Sequence, residues 1–252
     1  MDIIFFIVIG GLWGSFANVC IYRLPINKNI ALGRSFCTNC KIKIAWFDNI
    51  PVLSYLILRS KCRNCKKKIS FQYFLVELLG ILNFSVIYLL FGITLTTILL
   101  IILSLAFLII FFIDLRHYII PNSITYPMMI LGFIKSFDPN LNSIFPNYIN
   151  SLIGGIFGYA MIWSIIYFYK QIKKKDGMGL GDAKLFAVIG FWFGWISIPF
   201  IIFLSSIIAL IYVLPDLLNN SKKMSSQIPF GPFIIIGTIF YLVFQDYFVQ
   251  LL

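Results

Sequence analysis

Apolar residues run along this chain in long blocks separated by short polar breaks. The blocks fall at roughly 3–22, 73–92, 95–114, 118–136, 150–169, 182–197, 199–217 and 229–249. A helix that crosses a bilayer needs about 20 mostly apolar residues, and most of the blocks meet that length. The sixth is the weakest, being short and rich in Gly and Trp. The pattern predicts an all-α polytopic membrane protein with about eight transmembrane helices. One sizeable polar stretch remains, so the expected division is 1–23 as a first transmembrane helix, 24–72 as a polar segment and 73–252 as a seven-helix membrane domain. The first block does not read as a cleaved signal peptide. It carries Asp2 in place of a basic start, and its apolar run is too long.

Composition supports the same class. Of 252 residues, 60% are hydrophobic and 12% charged, against roughly 25% charged in an ordinary globular protein. Mean hydropathy is +0.95. A soluble exterior needs polar cover that this chain lacks, which excludes a disordered chain, a secreted disulfide scaffold and a soluble nucleic-acid binder.

The net charge of +11 acquires meaning from its placement. Eleven of the twenty Lys and Arg lie between Arg23 and Lys68. Lys170, Lys173, Lys174, Lys175 and Lys184 flank the junction of the fifth and sixth blocks, Lys222 and Lys223 precede the eighth, and Arg116 follows the third. With eight crossings and both termini outside, all of these face the cytoplasm and Lys135 alone lies near an outer loop. That segregation follows the positive-inside rule. The charge is therefore an orientation signal, aided by anionic lipid, and no nucleic-acid partner is expected.

The polar segment 24–72 holds four of the five cysteines in two pairs, Cys37-Thr-Asn-Cys40 and Cys62-Arg-Asn-Cys65. Both pairs obey C-x-N-C-K-x-K-I, a small internal duplication. Two such knuckles bring four thiolates around one tetrahedral zinc, which folds a short polar segment that has no core of its own. The 21 intervening residues slightly exceed the usual ribbon spacing. Disulfides are the competing reading, disfavoured by the reducing compartment in which the topology places the segment. The expected ligands of a structural Zn²⁺ are Cys37, Cys40, Cys62 and Cys65. Cys20, inside the first block, reads as a small apolar packing residue.

Few acids touch the apolar blocks, where an ionised carboxylate costs about 2.5–3.5 kcal/mol even on a mild insertion scale. Asp114 closes the third block, Asp182 opens the sixth, and Glu77 lies one turn into the second. Each aspartate has a plain alternative. Asp114 could be an interfacial charge paired with Arg116 or lying near His117, and Asp182 a helix N-cap after glycines. Together, two carboxylates at the same cytoplasmic depth suit acid–base hydrolysis. Sharing one water, they do not both ionise, so one is base and the other acid. Gly177, Gly179 and Gly181 superficially resemble a phosphate loop, but no strand precedes them and no G-K-[ST] follows. Close approach of an extended peptide backbone is the better use of residues without Cβ. A second function class, a proton-coupled transporter using the same carboxylates as a relay, expects acids near mid-membrane and repeated half-helices.

Five motifs in order resemble the type IV prepilin peptidases, membrane aspartic proteases of the G-x-G-D kind. They are Gly14 to Pro25, Asn49 to Tyr55 with the paired C-x-x-C, Asp114 with Ile120-Pro121-Asn122, Gly179-Leu-Gly-Asp182-Ala-Lys184, and Pro229-Phe-Gly-Pro-Phe233. The resemblance covers nearly the whole chain. It implies an endopeptidase of the bacterial inner membrane, associated with type IV pili and type II secretion, that removes the basic leader of prepilins and pseudopilins after a glycine. It further implies methylation of the new N-terminus with S-adenosylmethionine. Carried over residue by residue, Asp114 and Asp182 are catalytic, and Gly179, Gly181 and Lys184 position substrate. The sequence assigns no residue to the methyl donor. Arg116 stands where many members carry an acid, and Gln72 and Phe74 replace the Arg and Pro common around Tyr73.

Overall fold

A computed structural model describes residues 2–31, 33–142, 144–174, 177–218 and 228–250. Lys175, Lys222 and Lys223, used above to orient the chain, lie outside the described residues. Nine α-helices are present among them: α1 Asp2–Arg23, α2 Leu53–Ile57, α3 Phe71–Phe91, α4 Leu95–His117, α5 Asn122–Lys135, α6 Tyr148–Lys173, α7 Leu180–Phe193, α8 Ser197–Leu218 and α9 Gly231–Gln250. Each apolar block holds one helix of at least 14 residues, and the fold class is the all-α one expected. The five-residue α2 lies in the polar segment and was not foreseen.

Helix boundaries depart from the apolar blocks where backbone chemistry intervenes. The fourth block starts at 118, but α5 begins only at Asn122, because Pro121 disfavours helical geometry in Ile120 before it. The sixth block runs to 197, but α7 stops at Phe193, followed by Gly194 at φ 80°. Helices α1, α3, α4, α6 and α8 are long and apolar enough to cross a membrane. The 14-residue α5 and α7 rise about 21 Å each, short of the ~30 Å hydrocarbon core.

The chain forms two compact units, 1–109 and 110–252. In the first, α1 and α3 meet backbone to backbone. A Cβ on Gly80 would lie 2.6 Å from the Gly10 carbonyl oxygen, and one on Gly14 would lie 2.8 Å from the Glu77 Cα. Small residues spaced by four allow such an approach between membrane helices. Outward-facing Ile4, Phe5, Val8, Leu89 and Leu90 are exposed, as lipid-facing side chains should be.

The second unit is built around α7. Leu185, Phe186, Val188, Ile189 and Trp192 are wholly buried, the signature of a helix enclosed on all sides. Its crossing with α6 is as close as that of α1 with α3: a Cβ on Gly190 would collide with the backbone of Gly154. Polar groups inside are satisfied. The Trp192 indole N–H donates to the Met128 carbonyl at 2.8 Å, and the Ser151 hydroxyl donates to the Phe191 carbonyl at 2.7 Å. Lys135, expected near an outer loop, is buried. Its amine donates to the Trp192 carbonyl at 3.1 Å and stands 4.0 Å from the centre of the Phe145 ring.

Candidate functional site

Asp114 sits in the last turn of α4, and Asp182 in the first turn of α7; both are buried, at 4% and 8% exposure. The Asp114 Oδ2 accepts the Gly231 backbone N–H at 2.9 Å. Gly231 opens α9, where the first N–H groups have no partner within the helix, so the carboxylate satisfies one of them. A Cβ on Gly231 would lie 2.7 Å from that oxygen, so the position admits only glycine without displacement. The pairing of Asp114 with Arg116 or His117 does not occur. Both of those residues are exposed, and Asp114 is in no ion pair among the described residues.

Asp182 is not the N-cap of its helix. Gly179 takes that place, and Asp182 stands three residues on, with its Oδ2 accepting the Gly179 N–H at 3.2 Å. The Asp182 N–H donates to the Gly179 carbonyl at 3.1 Å. A carboxylate here is also favoured by the helix dipole. The two aspartates, far apart in sequence, come close enough for the charge of Asp114 to act on Asp182.

The neighbouring glycines differ in what they make room for. Gly181 abuts Ile120, whose Cβ would be 3.0 Å from an added Cβ, and Gly177 lies against the Tyr169 ring. Gly179 is different: it is exposed, and an added Cβ would meet nothing nearer than the Asp182 Oδ2 at 3.6 Å. The space beside the carboxylate is open there. Lys184 donates to the Asn122 Oδ1 at 2.7 Å, tying α7 to the start of α5, and its amine lies 5.4 Å from the centre of the Tyr126 ring. Sequence reasoning missed Gly231. Its signal lies in the Pro229-Phe-Gly-Pro-Phe233 motif, to which the sequence alone assigns no task.

The four paired cysteines converge. Their Sγ atoms all lie within 4.8 Å of one another, with Cys37 and Cys65 at 3.9 Å. A tetrahedral zinc with Zn–S bonds of about 2.3 Å has sulfur–sulfur edges of about 3.8 Å, so the donor set fits such an ion. The competing disulfides do not form; all five cysteines are free. The sequence duplication is also a structural one. Phe36 bridges Lys43 and Lys61 bridges Lys68, and Lys41 and Lys66 hold matching left-handed φ values of 61° and 56°. The Cys37 N–H donates to Ile42 and the Cys62 N–H to Lys67.

Side chains join the two knuckles. Asn39 accepts from the Lys67 amine at 2.8 Å and donates to the Cys65 Sγ at 3.6 Å. The Lys67 backbone N–H, together with Asn39, pulls the Cys65 thiol down to about 6, which favours the thiolate that metals bind. Arg63 grips Asp48 with two hydrogen bonds of 2.7 and 2.6 Å.

Comparison with known sequences gives the family. A family model described as the Bacterial Peptidase A24 N-terminal domain matches residues 8–91, and that of the Type IV leader peptidase family matches residues 101–214. A protein of Vibrio cholerae named Prepilin leader peptidase/N-methyltransferase is 38% identical over 246 residues, covering 94% of each chain. Proteins of the same name from Stutzerimonas stutzeri and Pseudomonas aeruginosa are 33% and 32% identical, covering 92% and 95% of this chain and 86% and 89% of theirs. No solved structure matches. The chain belongs to the type IV leader peptidase family, and it is a peptidase of the membrane-embedded kind rather than a transporter.

Proposed function

We propose that Asp114 and Asp182 are the catalytic pair of a prepilin endopeptidase that cuts the leader of type IV prepilins and pseudopilins after a glycine. The observation that carries this reading is two buried aspartates near enough for the charge of one to act on the other, each held by the backbone N–H of a glycine, with open space beside Gly179. An ionised carboxylate takes a proton from water as the water attacks the scissile carbonyl. The protonated partner donates to the oxygen or to the leaving amine, and burial keeps competing water away. The fixed glycine N–H groups use one oxygen of each aspartate, leaving the other for water or substrate. Gly179 admits the substrate backbone, Gly181 positions that turn by letting it pack against Ile120, and Lys184 braces the Asp182 turn through Asn122.

The substrate's apolar helix stays in lipid while its basic leader lies in the cytosol, so the scissile bond sits at the inner interface. On this reading the N- and C-termini lie outside, 24–72 lies in the cytoplasm, and eight helices cross the inner membrane, the short α5 and α7 by local thinning of the bilayer. The functional division is then 1–23, 24–72 and 73–252. Cys37, Cys40, Cys62 and Cys65 hold a structural Zn²⁺ that fixes the cytoplasmic segment. S-adenosylmethionine, when bound, supplies the methyl group for the new N-terminus.

The test is leader removal from a labelled prepilin by the purified chain in lipid. Asp114→Asn and Asp182→Asn should each lower the rate by about 10²–10⁴-fold. A folded variant that processes normally would defeat the assignment.

A further inference from the structure

The unit 1–109 contains a cavity of about 530 Å³ between the cysteine segment and the facing sides of α1 and α3. Small-molecule sites typically measure about 300–1,000 Å³. Ser15, Asn18 and Tyr22 contribute from one face of α1, and Tyr73 and Glu77, one turn apart, from α3. Tyr55 adds an aromatic ring from α2.

Glu77 is held in a fixed position. The Val52 backbone N–H donates to its Oε2 at 2.7 Å, and Ser15 lines the same cavity. Val52 adopts φ 63° and ψ −52°, a conformation that a β-branched residue rarely takes. Strain of this kind gathers at functional sites, and here it accompanies the orientation of one carboxylate. A neutral backbone donor fixes Glu77, and among the described residues no cation is ion-paired with it. Among the described residues the ion pair formed is that of Arg63 with Asp48, which engages the other acid lining the cavity.

A carboxylate without a counter-cation, facing a ligand-sized cavity with aromatic walls, is a receptor for a positive centre. Five cations line the same cavity. Arg63 pairs with Asp48, Lys67 donates to Asn39 and Arg23 donates to the Asn29 and Gly33 carbonyls, while Lys43 and Lys68 suit a negative group. S-adenosylmethionine presents both charges, together with an adenine ring for the aromatic walls. We propose that this cavity is the S-adenosylmethionine site and that Glu77 is the counter-charge to the ligand's sulfonium. The proposal rests on the reading of the chain as a methyltransferase and adds to it a place and an anchoring residue.

The experiment is equilibrium binding of tritiated S-adenosylmethionine to the purified full chain, with S-adenosylhomocysteine as competitor. The competitor shares every group except the methyl and the sulfonium charge. Glu77→Gln can still accept the Val52 N–H, so the variant removes charge and little else. It should weaken S-adenosylmethionine by about tenfold or more while changing S-adenosylhomocysteine by less than about threefold. Ultraviolet cross-linking of the tritiated donor to the unaltered protein needs no variant, and it should label peptides containing Tyr22, Tyr55 or Tyr73. Equal weakening of both ligands, no weakening of either, or label confined to 110–252 overturns the site while leaving the methyltransferase reading intact. Failure of the unaltered protein to bind the donor overturns both.

Discussion

The cysteine segment and the aspartate site are held together by different means. In 24–72 few side chains are buried, and the fold rests on two hydrogen-bonded knuckles, four converging thiols and a few polar links such as Asn39 with Lys67. Around Asp114 and Asp182 the opposite holds. A fully enclosed α7, glycine crossings at van der Waals contact and a buried Trp192 fix the helices that carry the carboxylates. On the proposed reading the first region gains order from coordination and the second from packing. Small polar segments have too little apolar surface for a core, whereas helices in lipid find order through close approach. Each region should therefore fail in its own way.

Removing the proposed metal ligands should have the largest effect. Changing Cys37, Cys40, Cys62 and Cys65 to Ser together should abolish bound zinc and expose 24–72 to proteolysis, while the helices of 110–252 stay resistant. Metal analysis and limited proteolysis read both outcomes. Zinc retained without the four thiols would break the comparison from one side. Next comes Gly190→Val, which forces a branched side chain into the Gly154 backbone. Overpacking costs about 1–3 kcal/mol or more, and the loss should appear as a lower melting temperature with zinc content unchanged.

Gly231→Ala is milder and sharper. The new methyl meets the Asp114 carboxylate at 2.7 Å, so cleavage should fall about tenfold or more while the helical signal and zinc content remain. The smallest effect belongs to Asp48. Hydrogen bonds from Arg63 hold its carboxyl below the usual range. A depressed folded pKa contributes stability above the unfolded value, near pH 4, and loses it as pH falls through the folded one. Arg63 is half exposed, so solvent screens the pair. Asp48→Asn should shift melting at neutral pH by no more than about 2 °C, with the difference vanishing in acid.

Much of this was legible in residue order. Apolar block length located every long helix, the repeated C-x-N-C-K-x-K-I announced two equivalent knuckles, and the isolation of Asp114 and Asp182 among apolar residues marked them as a pair. What escaped has a common physical cause. Hydropathy does not distinguish lipid from protein as the apolar neighbour, so the Gly- and Trp-rich block at 182–197 read as a weak span when α7 is the most enclosed helix of its unit. The same blindness hid the burial of Lys135. Contacts between distant backbones leave little local trace, which is why Gly231 against Asp114, and Val52 turned towards Glu77, emerged only from the fold.

The central claim is that the two aspartates work as one device on one peptide bond. Single-turnover cleavage of a labelled prepilin by the unaltered protein, Asp114→Asn, Asp182→Asn and the double variant tests it most directly. Residues that act as a unit are strongly non-additive, so all three variants should fall to the same residual rate. Losses that multiply in the double variant, or a folded single variant that cleaves at the original rate, would contradict it.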